Sequence, residues 1–344
     1  MTTDDLFINS KGAYLQVKNQ MFCIRTKNAK TREYHAHAPI APHTVHRIFL
    51  HRGTAVSVDA MHLALINNID IVLMQHDDHP IGRVWHTKLG STTKIRKKQL
   101  EASLNEVGTA WVKQWLSTKL GNQIAMIEQL KKHRESKRTY LHEKADKIRA
   151  LQTSIEALEA DHTEAIADTL RGLEGTAGRL YFETLSYVLA KEYQFAGRSK
   201  RPAHDAFNAF LNYGYGILYS MVEHALVIAG IDPFVGFMHR DGYNQRSMVY
   251  DFIEPYRGHV EQVVVKLFTA KKVNQSHTDA IKDGVRLNEM GKPLLTEALG
   301  KYLRGDKIKH GRKQQTRENI MKQEAVTFAQ SLLKGQALSD KPQV

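Results

Sequence analysis

Asp251-Phe252-Ile253-Glu254 sets two carboxylates three residues apart. On a helix that spacing puts both on one face, close enough to share a cation or to orient one another. His239 lies twelve residues before Asp251, and Glu174 stands well upstream in Glu174-Gly175-Thr176-Ala177-Gly178. An imidazole and a remote glutamate would complete an oxygen-rich site with one nitrogen ligand, suited to Mg²⁺ or Mn²⁺. The chain carries 49 Lys+Arg against 36 Asp+Glu, a formal net charge of +13. That excess argues for a polyanionic partner, and nucleic acid outranks an anionic membrane because no lipid anchor or basic amphipathic end is visible. A divalent-metal site on such a chain points to work on phosphodiesters.

Each candidate has a plainer reading. Glu174 reads as a glycine-flanked glutamate at a helix start, free to reach into a cavity; the plainer reading is a favourable acid in a first helical turn. His239 ends the apolar run from Gly230 to Met238, which would carry it across the core. As one of 18 histidines, it could equally be a buried imidazole bonded to backbone. Asp251 and Glu254 sit among apolar and aromatic residues, and burying two like charges is costly unless a cation or an arginine neutralises them. Arg246 or Arg257 could do that structurally.

Gly197-Arg198-Ser199-Lys200-Arg201-Pro202 joins two helical stretches. Arg198, Lys200 and Arg201 suit phosphate contacts at a helix entry, and Tyr215 is among the aromatics that could stack on an unpaired base. A solvated linker before an ordinary core helix accounts for most of those aromatics. Asn208 and Asn212, one turn apart, fit a core less easily.

Other patterns are decoys. His239-Arg240-Asp241 looks like a kinase catalytic loop, but position 246 is Arg where that motif needs Asn. His35, His37, His43, His46 and His51 crowd one region without a cysteine partner, so exposed histidines are favoured over a zinc site. Gly214-Tyr215-Gly216 falls inside a helical stretch and lacks the strand of a nucleotide-binding turn.

The elements that must position these residues change character along the chain. Residues 6 to about 88 read as mostly β, in short runs such as Tyr14-Leu15-Gln16-Val17, Arg47-Ile48-Phe49-Leu50 and Asp70-Ile71-Val72-Leu73-Met74. Asp59 is placed to cap a short helix through Asn67. The β region ends near Gly90-Ser91-Thr92-Thr93. From Lys94 the period is helical, with stretches at 139–171, 176–195, 204–229, 247–268 and 276–302, and an amphipathic piece from Ala325 to Leu333 in a basic, polar tail. The expected fold class is α+β: a small β-sandwich-like domain over 1–90, then a larger all-α domain over 91–344. No apolar run approaches a membrane span, and Met1-Thr2-Thr3-Asp4-Asp5 carries acid where a signal peptide would carry base. The single cysteine, Cys23, excludes an intrachain disulfide and is compatible with a reducing cytoplasm.

Four segments resemble the CRISPR adaptation integrase, the metal-dependent Cas-one family. They are Leu173-Glu174-Gly175 with Tyr181; Arg201-Pro202 with Asn208-Ala209 and Leu211-Asn212-Tyr213-Gly214-Tyr215; Ala229-Gly230-Ile231-Asp232-Pro233 through His239; and Ser247 through Arg257. The resemblance is strong over about 170–260 and looser elsewhere. Ile231 and Met248 replace leucines common in the family, away from any ligand. It implies that Glu174, His239 and Glu254 ligate a divalent metal, Mg²⁺ or Mn²⁺, with Asp251 supporting the site. It implies an endonuclease and integrase of spacer acquisition, joining 3′-hydroxyls of double-stranded spacer DNA to a repeat array by transesterification. A β domain that homodimerises and a small ferredoxin-like CRISPR partner are further implications. Two rivals stand beside it: a casposase, the transposon-encoded relative with the same active-site pattern, and a non-catalytic DNA-binding scaffold whose acids merely pair with Arg246 and Arg257.

Overall fold

The computed structural model describes residues 4–27, 33–75, 80–84, 92–239, 242, 243, 245–311 and 313–336. Gly90-Ser91, in the expected domain boundary, and Arg240-Asp241, in the kinase-like motif, lie outside the described residues. The chain divides into two compact units, 1–89 and 90–344.

The first unit holds β1 (Asp4–Ile8), β2 (Tyr14–Lys18), β3 (Met21–Lys27), β4 (Tyr34–Ala36), β5 (Val45–His51), β6 (Ala55–Val56), α1 (Val58–Ile66), β7 (Asp70–Met74) and β8 (Pro80–Val84). One four-stranded sheet runs β1-β5-β7-β8, parallel except for its last pair; the other runs β4-β3-β2-β6. Ile8, Ile48, Leu50 and Ile71 of the first sheet share a core with Leu15 and Phe22 of the second and with Leu63 of α1. Apolar residues crowd β5 because both of its faces are covered, as in a central parallel strand. Ser57, rather than the expected Asp59, caps α1: its side chain accepts from the Ala60 N–H at 3.1 Å, and Asp59 lies in the first turn.

The second unit is largely helical. Its long elements are α2 (Thr92–Ala102), α3 (Glu106–Lys131), α4 (Arg138–Ala157), α5 (Ala167–Val188), α6 (Ala206–Ile228), α7 (Ser247–Phe252) and α8 (Arg257–Thr269). The expected helix over 139–171 is broken. Leu158 is extended, its carbonyl accepts from the Lys113 ammonium, and a short 3-10 turn at Thr163–Ile166 precedes α5. The expected start near Gly175 is likewise displaced: α5 passes straight through Glu174-Gly175 because Leu170, Ala177, Tyr181 and Leu185 bury one continuous stripe. That tertiary burial outweighs the glycines' cost of about 1 kcal/mol each in a helix.

The expected helix over 276–302 is half strand. β9 (Thr278–Ile281) and β10 (Gly284–Leu287) form an antiparallel hairpin, closed through Asp283 at φ 62°, and only α9 (Gly291–Gly300) is helical. A second hairpin, β11 (Lys307–His310) with β12 (Lys313–Thr316), leads into α10 (Arg317–Lys334). The tail is therefore structural. Phe328 of α10 packs edge-on against Trp111 and Trp115 and stacks on Phe252, directly beneath the elements that carry Asp251 and Glu254. Among the described residues, no helix is long and apolar enough to cross a membrane.

His259 on α8 lies between the rings of Tyr256 and Tyr302, and burial with the nearby Arg317 charge pushes its pKa down to about 4. The unfolded chain takes up this proton near pH 6.5, whereas the fold takes it up only near 4. Stability should therefore fall as pH drops through that window and level off below it, by on the order of 3 kcal/mol. Denaturant titrations at stepped pH should show a shallower fall for His259→Gln; an unchanged slope would assign the loss to other groups.

Candidate metal centre and nucleic-acid interface

Three helical elements of the second unit meet at the site: α3 brings Lys119, α5 brings Glu174, and the turn Glu254–Tyr256 after α7 brings Glu254. Asp251 sits at the base, 1% exposed, and its carboxylate is fully engaged. Oδ2 accepts from the Phe237 and Met238 N–H groups at 2.6 and 3.0 Å, and Oδ1 accepts from the His239 N–H at 3.2 Å and lies 2.5 Å from His239 Nδ1. An ionised carboxylate only accepts, so Nδ1 carries a proton, and the ring in its neutral form presents its Nε2 lone pair. Burial disfavours the charged imidazole, but the Asp251 hydrogen bond and the charges of Asp251, Glu254 and Glu174 outweigh it and raise the His239 pKa. Gly236 allows this wrapping: a Cβ there would stand 2.5 Å from Ser247 Cβ and 3.1 Å from Asp251 Oδ2.

Glu254 is 3% exposed and paired twice. Oε1 accepts from Arg257 Nε at 2.8 Å, and Oε2 lies 2.6 Å from Lys119 Nζ. Oε2 nevertheless takes no aligned hydrogen bond. Burial alone would raise this carboxyl's pKa; Arg257 and Lys119 overcome it and hold the value at about 2. Lys119 Nζ also donates to Glu174 Oε1 at 2.5 Å, so one ammonium bridges both glutamates. Burial works against that charge, but Glu254 and Glu174 outweigh it and raise the Lys119 pKa.

The donor types fit a hard divalent ion. Two carboxylates share one cation position, one of them holds back a buried oxygen without a hydrogen bond, and a neighbouring imidazole is locked through its far nitrogen. Asp251, with both oxygens spent on backbone and His239, is left to orient. Among the described residues no three His, Cys, Asp or Glu side chains stand close enough together to hold a metal ion as they are placed; the Lys119 ammonium fills the place between the two glutamates. Of the two arginines considered as neutralisers, Arg257 does pair with Glu254, whereas Arg246 pairs with Glu223 at 3.0 Å. Lys119 had been missed. It stands four residues after Trp115, on the helix stripe that buries Trp111, Trp115 and Gln123.

The basic loop and its asparagines divide by role. Asn208 is fully buried and ties the loop down, donating to the Gly197 carbonyl and accepting from Arg198 at 2.9 Å. Asn212 accepts from Arg198 at 2.6 Å and donates to the Lys200 carbonyl at 2.6 Å. Tyr215 donates to buried Glu261 at 2.6 Å, and its ring lies between the Arg198 and Arg257 guanidinium groups, 5.3 and 5.1 Å away. Asn208 is buried and Arg198, Asn212 and Tyr215 are half-buried; together they form a continuous link from the loop through Arg257 to Glu254. Lys200 and Arg201 are exposed. Although its side chain reaches solvent, partial desolvation and then repulsion from Arg257 and Arg198 lower the Lys200 pKa, while Glu254 and Glu174 pull the other way, so the loop and the acid centre share one electrostatic field.

In the first unit the histidine-rich stretch shows no metal-binding group among the described residues. His37 meets Thr26, and His46 lies 3.3 Å from Asp5.

Comparison with known proteins agrees on one family. The family described as CRISPR associated protein Cas1 matches residues 6–301. The CRISPR-associated endonuclease Cas1 1 of Archaeoglobus fulgidus is 30% identical over 305 residues, 86% of either chain. A casposase bound to its integration product has a similar fold at 18% identity, with TM-score 0.82 over all of this chain and 94% of that one. A Cas6-RT-Cas1–Cas2 complex gives TM-score 0.77 at 21% identity, where this chain covers only 36% of the larger polypeptide. With its family match spanning most of the sequence and both units, the chain belongs to the Cas1 family of CRISPR-associated proteins.

Proposed function

We propose that this protein is a divalent-metal-dependent DNA integrase of CRISPR adaptation, joining 3′-hydroxyls of short duplex DNA to a repeat array by transesterification. The observation that carries the reading is the convergence of Glu174 and Glu254 on one cation position beside His239, whose Nδ1 is held by Asp251. Glu174, His239 through Nε2, and Glu254 would hold Mg²⁺ or Mn²⁺, which polarises a scissile phosphate and takes up charge on the attacking and leaving oxygens. Asp251 keeps the imidazole in one orientation. Arg257 fixes Glu254 Oε1 and leaves Oε2 for the ion. No covalent enzyme intermediate is required, because the DNA hydroxyl itself is the nucleophile. The test is joining of a short duplex with free 3′-hydroxyls to repeat-containing DNA, with Mn²⁺ supplied or chelated.

The endonuclease name of the Archaeoglobus relative supports nuclease chemistry, and the Cas1–Cas2 assembly among the fold relatives supports a Cas2-type partner, for which the family resemblance implies a small ferredoxin-like protein. The casposase likeness keeps transposon-type integration as the second reading; preference for transposon ends over repeats in the joining assay would favour it. The first unit is proposed as the homodimer surface, since Tyr34 on edge strand β4 and Ile81 on edge strand β8 are more than half exposed. Sedimentation of Ile81→Lys as a monomer would support that; an unchanged dimer would move the interface elsewhere. Action on a repeat array would call for a cytoplasmic protein.

Lys200 and Arg201 should grip the DNA backbone. Their joint replacement by alanine should weaken duplex binding and reduce the salt dependence by about one counterion per residue, without changing thermal stability. Arg198→Ala should instead lower stability, because it strips Asn208 and Asn212 of their donor. Fluorescence anisotropy at stepped salt separates these, and an unchanged salt slope in the double variant would remove the loop from the interface.

A further inference from the structure

We infer that Lys119 is an exchangeable counter-ion of the site: its ammonium holds Glu174 and Glu254 together in the metal-free protein and yields that position when a divalent ion binds. The inference rests on the metal reading proposed above and goes beyond it by assigning a residue outside the ligand set.

Three observations carry it. The first is position. Lys119 Nζ is 2.5 Å from Glu174 Oε1 and 2.6 Å from Glu254 Oε2, the place a shared ion would take between those carboxylates. A divalent ion bonds such oxygens at about 2.0–2.2 Å, so ammonium and ion cannot both remain there. The second is asymmetry. Glu254 commits Oε1 to Arg257 in an aligned hydrogen bond, while Oε2 touches the ammonium without one. The guanidinium is thus tied to Glu254 by a directed bond, whereas the ammonium directs its bond to Glu174 and meets Glu254 as a close ion pair. The third is chemistry. Lysine is a point charge on a flexible four-carbon stem and can withdraw, whereas the planar Arg257 fork is built to stay. Lys119 is 11% exposed and Glu174 is 22% exposed, so the Glu174 side of the cluster opens to solvent.

Without Lys119, two carboxylates would face each other with Arg257 alone beside them, and the metal-free protein would lose stability. Exchange also makes metal affinity a difference: the ion gains two carboxylates and must displace an ammonium. A purely structural lysine would affect the first property and not the second.

The experiment titrates Mn²⁺ into the full chain by calorimetry and follows thermal unfolding with and without Mn²⁺. It compares the parent with Lys119→Met and Lys119→Arg. Lys119→Met should unfold at a lower temperature without metal and bind Mn²⁺ roughly tenfold or more tighter, with Mn²⁺ restoring a larger share of its stability than in the parent. Lys119→Arg should bind Mn²⁺ more weakly than the parent, because a guanidinium pairs two carboxylates more firmly, and it carries the test if Lys119→Met does not fold. Equal Mn²⁺ affinity in the parent and these variants would overturn the exchange while leaving the metal site standing. Absence of Mn²⁺ binding from every variant and the parent would overturn the metal reading itself, and the exchange with it.

Discussion

Replacing Glu254 by alanine is expected to abolish Mn²⁺-dependent joining, lowering the single-turnover rate by about three orders of magnitude or more, equivalent to about 4 kcal/mol of transition-state stabilisation. Duplex binding should persist, since Glu254 is 3% exposed and the exposed cations proposed to hold the backbone, Lys200 and Arg201, lie on the 197–201 loop. Glu174→Ala and His239→Ala should have comparable effects if the three side chains act on one ion. Glu254 differs from them in one respect: its removal leaves Arg257 and Lys119 facing each other in a buried place. Breaking one side of a buried ion pair costs about 3–5 kcal/mol, so the folded fraction must be measured beside the rate. Glu254→Gln keeps the volume and provides that control. The checks are strand transfer on a repeat substrate under single-turnover conditions, anisotropy binding in chelator, and circular dichroism. Full joining by a folded Glu254→Ala protein would take Glu254 out of the ligand set. A protein that binds duplex but neither joins DNA nor takes up Mn²⁺ would be the non-catalytic scaffold, its acids serving only Arg257 and Lys119.

The second large effect belongs to Asp251. Asp251→Asn should lower stability by about 3 kcal/mol and weaken Mn²⁺ affinity by roughly 10- to 100-fold. Three backbone N–H groups and the His239 ring converge on its two oxygens. An asparagine replaces one acceptor by an NH₂ group, so at least one buried donor must face another. The segment from Phe237 to His239 would then loosen from α7, and the imidazole would lose the partner that sets its tautomer. A Glu174→Gln comparison separates the two roles: Glu174 is 22% exposed, and its loss should cost metal binding with a smaller change in unfolding midpoint. An Asp251→Asn protein of unchanged stability and Mn²⁺ affinity would deny Asp251 both roles.

Much of this was legible because the residues announce themselves locally. Asp251 and Glu254 stand in a helical register among apolar side chains, and buried acids demand partners. His239 ends an apolar run, and the change from β alternation to helical period marks where the layout turns over. The errors also have local causes. Asp283-Gly284 is a turn signal, yet the flanking pattern fits either period; the structure closes the hairpin through Lys282 and Asp283 and pairs Thr278 with Leu287. Three glycines near Glu174 read as a helix boundary, yet the stripe of Leu170, Ala177, Tyr181 and Leu185 carries the helix through them. Asn208, Asn212 and Tyr215 read as candidate DNA contacts because polar groups in a core helix need a reason. The structure gives each of them an internal partner, in the basic loop or at Arg257.

By itself, the sequence determined the two-part fold class, the positive field and the short list of acids and imidazole from which a metal site could be built. These follow from composition and from spacing within single elements, where residue type dictates local geometry. Only the tertiary structure decided which cation stands between Glu174 and Glu254. Lys119 is 55 residues from one and 135 from the other, and no local pattern links a lysine on one helix to carboxylates on two other elements. The physical reason is the same that makes the site: charges this deeply enclosed are stable only in company, and that company is chosen by packing of distant helices.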